Sequence, residues 1–194
     1  MADIDGRTVA DLKRGDDGAY IRVVKALKDQ VFRFALRLCR DRDTAEDITQ
    51  QTFLAVWESI SSFQGRSKFS TWVFAIAYRQ YLTVRRWEMR SPDTVPLQEW
   101  HQADDAPDPG EAVVEADQRN RLRRAVHALP DPYREVVCLV HLEGLTCREA
   151  ADVLQVPIGT VKSRINGALR ILRERLRESE VLGNEEREPD NATT

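Results

Sequence analysis

The stretch Leu145-Thr-Cys-Arg-Glu-Ala-Ala-Asp-Val-Leu-Gln-Val-Pro-Ile-Gly-Thr-Val-Lys-Ser-Arg164 predicts a short helix, a tight turn and a second helix. Thr146 stands at the N-cap with Glu149 three residues on, the spacing of a reciprocal capping box. Ala150 and Ala151 are small enough to admit another helix at close range. On the second helix, Gly159 to Arg177, the residues Val161, Ile165, Ala168, Leu169, Leu172 and Leu176 share one side. The other side carries Lys162, Ser163, Asn166, Gly167, Arg170 and Arg173, with Arg164 on the flank and Thr160 at the entry. Arg and Lys reach guanine edges or phosphates, Asn reads adenine, and Ser or Thr serves either. A solvated face on an ordinary helix would look similar. The preceding helix and turn make the DNA-reading arrangement the better account.

Charge along the chain supports a nucleic-acid partner despite a net charge of −3 over 194 residues. Residues 1–90 hold 16 basic and 12 acidic side chains, and residues 118–178 hold 12 and 7. Between them, Ser91 to Asp117 holds 8 acidic residues, no basic one, and Pro92, Pro96, Pro107 and Pro109. Acidic, Pro-rich sequence packs poorly and stays extended, so this segment is read as a linker. Its Trp100 is an aromatic placed either to dock on a partner or to anchor on its own protein. Residues 179–194 are acidic again. Cys39, Cys138 and Cys147 are widely spaced, which argues against a disulfide scaffold and for a reducing, cytoplasmic setting. Met1 to Gly6 lacks the apolar core of a secretory signal, and no apolar run is long enough to span a bilayer.

The first block reads as three helices. Tyr20 to Cys39 has Val23, Val24, Leu27, Val31, Phe34, Ala35 and Leu38 at helical spacing. Asp43, with Glu46 three residues on, is expected to open a second helix to about Ser59. Its inner stripe is Ala45, Ile48, Thr52 and Val56, broadened by Phe53 and Trp57. A second face of Asp47, Gln50, Gln51, Leu54 and Glu58 suits docking to another protein's helix. The third helix, Thr71 to about Arg90, places Trp72, Arg79, Thr83, Arg86 and Arg90 on one line. Phe63, Arg66, Lys68 and Phe69 precede it in a loop. Rings interleaved with cations suit an opened DNA strand, because bases stack on rings while cations hold phosphates. The competing reading puts Phe63, Phe69 and Trp72 in the core, where the loop closes over the bundle. Few alternating β-branched runs occur, so the fold class is all-α, in two small helical domains.

Together these segments resemble the extracytoplasmic-function (group 4) sigma factors of the sigma-70 family of bacterial RNA polymerase. The likeness covers roughly residues 15–90 and 118–176. Asp43-Thr-Ala-Glu-Asp-Ile-Thr-Gln-Gln-Thr-Phe53 is similar to region 2.2, which implies docking on the β′ clamp helices through Asp47, Gln50, Gln51 and Leu54. Phe63-Gln-Gly-Arg-Ser-Lys-Phe-Ser-Thr-Trp-Val73 is similar to regions 2.3 and 2.4. This implies capture of the melted −10 element by Phe63, Arg66, Lys68, Phe69, Trp72, Arg79, Thr83 and Arg86. Leu129-Pro-Asp-Pro-Tyr-Arg-Glu-Val-Val137, Glu143-Gly-Leu-Thr-Cys-Arg-Glu-Ala-Ala151 and Pro157-Ile-Gly-Thr-Val-Lys-Ser-Arg164 are similar to region 4. They imply contact with the β flap, and with the −35 element through Thr160, Lys162, Ser163, Arg164, Asn166 and Arg170.

The organisation then expected is a tail over 1–14, region 2 over 15–90, a linker over 91–117, region 4 over 118–177 and a disordered tail over 178–194. The resemblance also implies an anti-sigma factor as partner, with no membrane insertion, catalytic residue, metal or cofactor of the chain's own. Gln51 stands where the family often has Glu. Arg79 and Thr83 stand where Asn and Asp are common. Gln155 replaces a frequent Gly, and Asn166-Gly167 replaces a bulkier basic pair, which is expected to leave a gap on the DNA face. The rival reading is a stand-alone helix-turn-helix regulator using residues 145–176. An enzyme is remote, because Asp16-Asp17 and Asp104-Asp105 lack the supporting ligands of a metal site.

Overall fold

The computed structural model describes residues 4–90 and 113–185. Its helices run in the order α1 (Gly6–Lys13), α2 (Asp17–Cys39), α3 (Arg42–Ser59), α4 (Phe69–Arg90), α5 (Val113–His127), α6 (Asp131–Val137), α7 (Cys147–Leu154) and α8 (Ile158–Glu185). A 3-10 turn at Ile60–Ser62 follows α3, and a π-helical turn at Cys138–Leu142 extends α6. No strand occurs among the described residues, and the all-α expectation is met.

Local chemistry sets the boundaries in the first unit. The Asp5 side chain accepts from the Thr8 amide at 2.8 Å and starts α1. Asp16 accepts from Ala19 and starts α2. Asp41, not Asp43, caps α3 by accepting from the Thr44 amide at 2.7 Å. Arg40 reverses the chain between α2 and α3 in the left-handed conformation, φ 65°, with its amide on the Leu36 carbonyl. The apolar faces of α2, α3 and α4 meet in a core of Leu27, Val31, Phe34, Ile48, Val56 and Phe74. Phe34 and Phe74 pack edge to face at 5.3 Å. Each such side chain contributes roughly 1.5–3 kcal/mol by burial.

Three boundaries differ from expectation. Residues 6–13, expected within a tail, form α1, which buries Val9 and Leu12. Residues 113–117, expected at the end of the linker, are already helical in α5, while 91–112, including Trp100, lie outside the described residues. Residues 178–185, expected in a disordered tail, continue α8 as helical backbone, and 186–194 lie outside the described residues.

The second unit has a small core of its own: Ala125, Val126, Leu129, Val137, Ala168 and Leu172. The rest of its apolar face is shared. Val136, Leu139, Leu145, Ala150, Leu154 and Val161 belong to the same buried cluster as the α2–α4 core. The two units therefore lie against each other, with α7 packed on α4.

Candidate nucleic-acid and docking surfaces

On α3 the buried side is Ala45, Ile48, Thr49, Thr52, Phe53 and Val56. The two buried hydroxyls are satisfied locally: Thr49 donates to the Ala45 carbonyl at 2.7 Å and Thr52 to that of Ile48 at 2.6 Å. This frees the opposite side for contact. Asp47, Gln50, Gln51 and Leu54 are all exposed, Leu54 by 46%. Trp57, expected to widen the inner stripe, instead lies at the surface with its ring edge-on to Tyr20 at 5.1 Å. Ile21 is exposed on α2. Amides, one carboxylate and unpartnered apolar side chains make a surface suited to a helical protein partner.

The loop before α4 separates its rings from its cations. Phe63 and Phe69 are only 8% and 4% exposed and pack on one another at 5.3 Å. Trp72 closes the trio at 5.3 Å from Phe63 and 5.6 Å from Phe69. Lys13 of α1 donates to the Phe63 carbonyl at 2.5 Å and lies over its ring. Phe63 and Phe69 are thus corrected from strand-stacking rings to core residues. A loop crossing the open end of a three-helix bundle must cover that end with apolar surface, and these two rings do so. Trp72 is half-buried. Arg66, Lys68, Arg79, Thr83 and Arg86 are all exposed. On α4 the Arg79 and Arg86 guanidinium groups donate back to the Ala75 and Leu82 carbonyls at 3.2 and 3.1 Å. Thr83 donates to the Arg79 carbonyl at 3.0 Å. The outcome is a cationic line along one helix, rooted in a rigid aromatic cluster.

In the second unit the capping box is present: Thr146 accepts from the Glu149 amide, and Glu149 accepts from the Thr146 amide at 2.8 Å. Gln155 ends α7 in the left-handed conformation, φ 54°, where glycine would carry no steric cost. On α8, Val161 and Ala168 are fully buried and Leu172 nearly so. Lys162, Ser163, Asn166 and Arg170 are exposed, while Thr160 and Arg164 are half-buried. Gly167 corrects the sequence reading. A Cβ at that position would lie 2.7 Å from Tyr133 Cε1, so the glycine seats α8 against the α6 ring rather than opening a gap toward DNA. Among the described residues no group of three or more His, Cys, Asp or Glu is placed to hold a metal.

Comparison with known proteins matches both units. The family model "Sigma-70 region 2" matches residues 23–90, and "Sigma-70, region 4" matches 119–172. The sigma factor SigW of Bacillus subtilis is 32% identical over 182 residues, covering 89% of this chain and 96% of that protein. This chain belongs to the extracytoplasmic-function sigma factors. SigF of Caulobacter vibrioides is 34% identical over 93% of this chain and 99% of its own length. The solved sigma factor RpoE of Bartonella quintana, in complex with the anti-sigma factor NepR, shares the fold with TM-score 0.67 at 24% identity, over 81% of this chain and 96% of that one. The chain is therefore an alternative sigma factor acting in transcription initiation, and the stand-alone regulator is set aside.

The structure adds residues to this sigma factor's surfaces that the sequence reading passed over. Lys13 secures the loop from outside region 2's family match. Trp87 is 66% exposed between Arg86 and Arg90, four residues after Thr83, a spacing that flags it once the line is drawn. Arg134 is buried and holds four acceptors: the Leu129, His127 and Leu38 carbonyls and Asp131. Burial makes Cys39 and Cys138 poor redox candidates. It pushes the Cys39 thiol up to about 11 and the Cys138 thiol up to about 12, which suppresses the reactive thiolate.

Proposed function

We propose that this sigma factor docks on core RNA polymerase through Asp47, Gln50, Gln51 and Leu54. Arg66, Lys68, Trp72, Arg79, Thr83 and Arg86 then hold the opened −10 strand, and Thr160, Lys162, Ser163, Arg164, Asn166 and Arg170 read the −35 major groove. One observation carries the reading: the exposed cationic line on α4 begins beside the half-buried Trp72 and lies on the same bundle as the amide-rich face of α3. Stacking a base on the Trp72 ring is worth about 1–3 kcal/mol, enough to help offset flipping it out of the duplex. The polymerase supplies the catalysis, and this chain supplies promoter choice and strand capture.

Two weak DNA modules on one chain bind together only where both elements lie at matching spacing, and core enzyme fixes that geometry. With a net charge of −3, the free protein is expected to bind duplex DNA weakly. The relative solved with NepR supports a further expectation, an anti-sigma factor that silences this chain in the cytoplasm. No described helix is long and apolar enough to cross a membrane. Transcription reconstituted from core enzyme, this chain and a genomic promoter library tests the proposal. Promoter-directed transcripts that depend on the chain are expected. Tight operator binding without polymerase, and no transcripts with it, would overturn the reading.

A further inference from the structure

Gly167 leaves one position on the surface of α8 without a side chain, and a ring from another helix fills it. The glycine follows Ser163 by four residues and precedes Arg170 by three, so it is their neighbour on the helix surface. Ser163 and Arg170 are exposed, Gly167 is half-buried, and Ala168 next to it is fully buried. Position 167 therefore marks the rim of the exposed face. The three atoms nearest to a Cβ built there all belong to Tyr133 of α6: Cε1 at 2.7 Å, Cδ1 at 3.4 Å and Cζ at 3.4 Å. One edge of the phenol ring thus lies where a side chain of residue 167 would leave the helix. Cζ, the carbon that bears the hydroxyl, is part of that edge.

Tyr133 is fixed at this place from its own side. Its ring packs against the small core of region 4. Its amide donates to the Pro130 carbonyl at 3.0 Å, and the next residue, Arg134, donates to the Leu129 carbonyl at 2.9 Å, so the first turn of α6 is firmly held. The hydroxyl is different. It has no hydrogen-bond partner among the described residues and is not one of the buried unpartnered polar atoms, so it lies open to solvent. A donor without a partner is thereby delivered to the rim of the face that carries Ser163 and Arg170.

We infer that Tyr133, although it stands on α6 and outside the helix-turn-helix, is a further −35 contact whose hydroxyl donates to a DNA phosphate. The inference rests on the −35 reading above and adds a residue to it. A group at the rim of a helix lying in the major groove faces the groove wall, where the phosphates are, and not the base edges at its floor. Such a contact fixes the register of α8 on the duplex and carries no sequence information of its own. A hydroxyl also differs from a lysine or arginine in releasing no condensed counterion when it binds phosphate. Gly167 is the condition for the contact, because any side chain there would displace the ring.

Binding of holoenzyme, made from core enzyme and the full-length chain, to a promoter recovered from the reconstituted transcription above tests the contact. Tyr133→Phe keeps the ring and removes only the hydroxyl. It is expected to weaken binding about tenfold, the scale of one hydrogen bond to a charged group. The loss should be equal on original and base-substituted −35 elements, with the melting temperature of the free chain and the slope of affinity against salt both unchanged. Lys162→Ala, in contrast, is expected to reduce that slope by about 1. Gly167→Ala should show the same loss as Tyr133→Phe, and the double variant no further loss. Wild-type affinity in Tyr133→Phe, a loss confined to one −35 base, a loss matched by a lower melting temperature, or additive losses in the double variant would each overturn the inference. If Lys162→Ala and Arg170→Ala also bind as the wild type does, the −35 reading itself fails. If they weaken binding and Tyr133→Phe does not, the inference fails alone.

Discussion

Region 2 and region 4 both present exposed cations, with different resources. Region 2 has a large aromatic core, and its helix α4 stands on the Phe63–Phe69–Trp72 cluster, so its cations project from a packed base. Among its described residues region 4 buries six in a core of its own and completes itself against region 2. Its precision comes from local devices: a capping box, a left-handed cap at Gln155, and a glycine that lets α8 meet Tyr133. The difference teaches that region 2 holds its shape through a core of its own. Region 4 is organised to be positioned by whatever it leans on.

Breaking the seam is expected to have the largest effect on that contrast. Arg134→Met removes the side-chain donor from the Leu129 and Leu38 carbonyls, one of two from the His127 carbonyl, and leaves Asp131 to Arg85, a loss of about 3–5 kcal/mol for an interrupted buried charge network. Hydrogen exchange should show protection falling first in α5–α8 while α2–α4 persist. Uniform loss across both units would erase the proposed asymmetry.

Within region 2, Phe63→Ala and Trp72→Ala should separate core from contact. Phe63→Ala should cost about 3–5 kcal/mol in denaturant unfolding. Trp72→Ala should cost less stability but weaken capture of single-stranded −10 DNA by holoenzyme about tenfold, the scale of one lost stacking contact. Equal stability losses with unchanged capture would return Trp72 to the core.

The seam also titrates. Burial, with Arg40 and Arg134 beside it, lowers His127 to about 4 from its ordinary 6.5. A depressed value means that the folded state favours the neutral ring. Its contribution is fully present above about pH 6.5 and is lost as pH falls through about 4, at most about 3 kcal/mol. Melts between pH 7 and 4 should lose this increment, and His127→Asn should flatten the slope. At the small end, Gln155→Gly should stabilise region 4 by about 1 kcal/mol by relieving a left-handed side chain, read as a rise in its melting temperature.

What was legible in the sequence follows the range of the forces involved. Helices α2, α3, α4, α7 and α8 were readable because period and caps act over four residues, as Thr146 with Glu149 shows. Helix α1 was missed because only Val9 and Leu12 mark its apolar side. The exposed faces of α3, α4 and α8 were placed correctly apart from Trp57, since each is the complement of a buried stripe. Phe63, Phe69 and Gly167 were misassigned because their partners, the bundle end and Tyr133, are brought near only by tertiary packing. The Arg37–Glu143 pair joins residues 106 positions apart and leaves no local trace.

The account stands on region 2 holding an opened strand along α4. Permanganate footprinting of open complexes made with core enzyme and this chain measures that directly, through reactive unpaired thymines at the −10 element. The wild type is expected to give strong reactivity, and Arg79→Ala/Arg86→Ala at least tenfold less at equal holoenzyme occupancy. Undiminished reactivity in that variant would contradict the account.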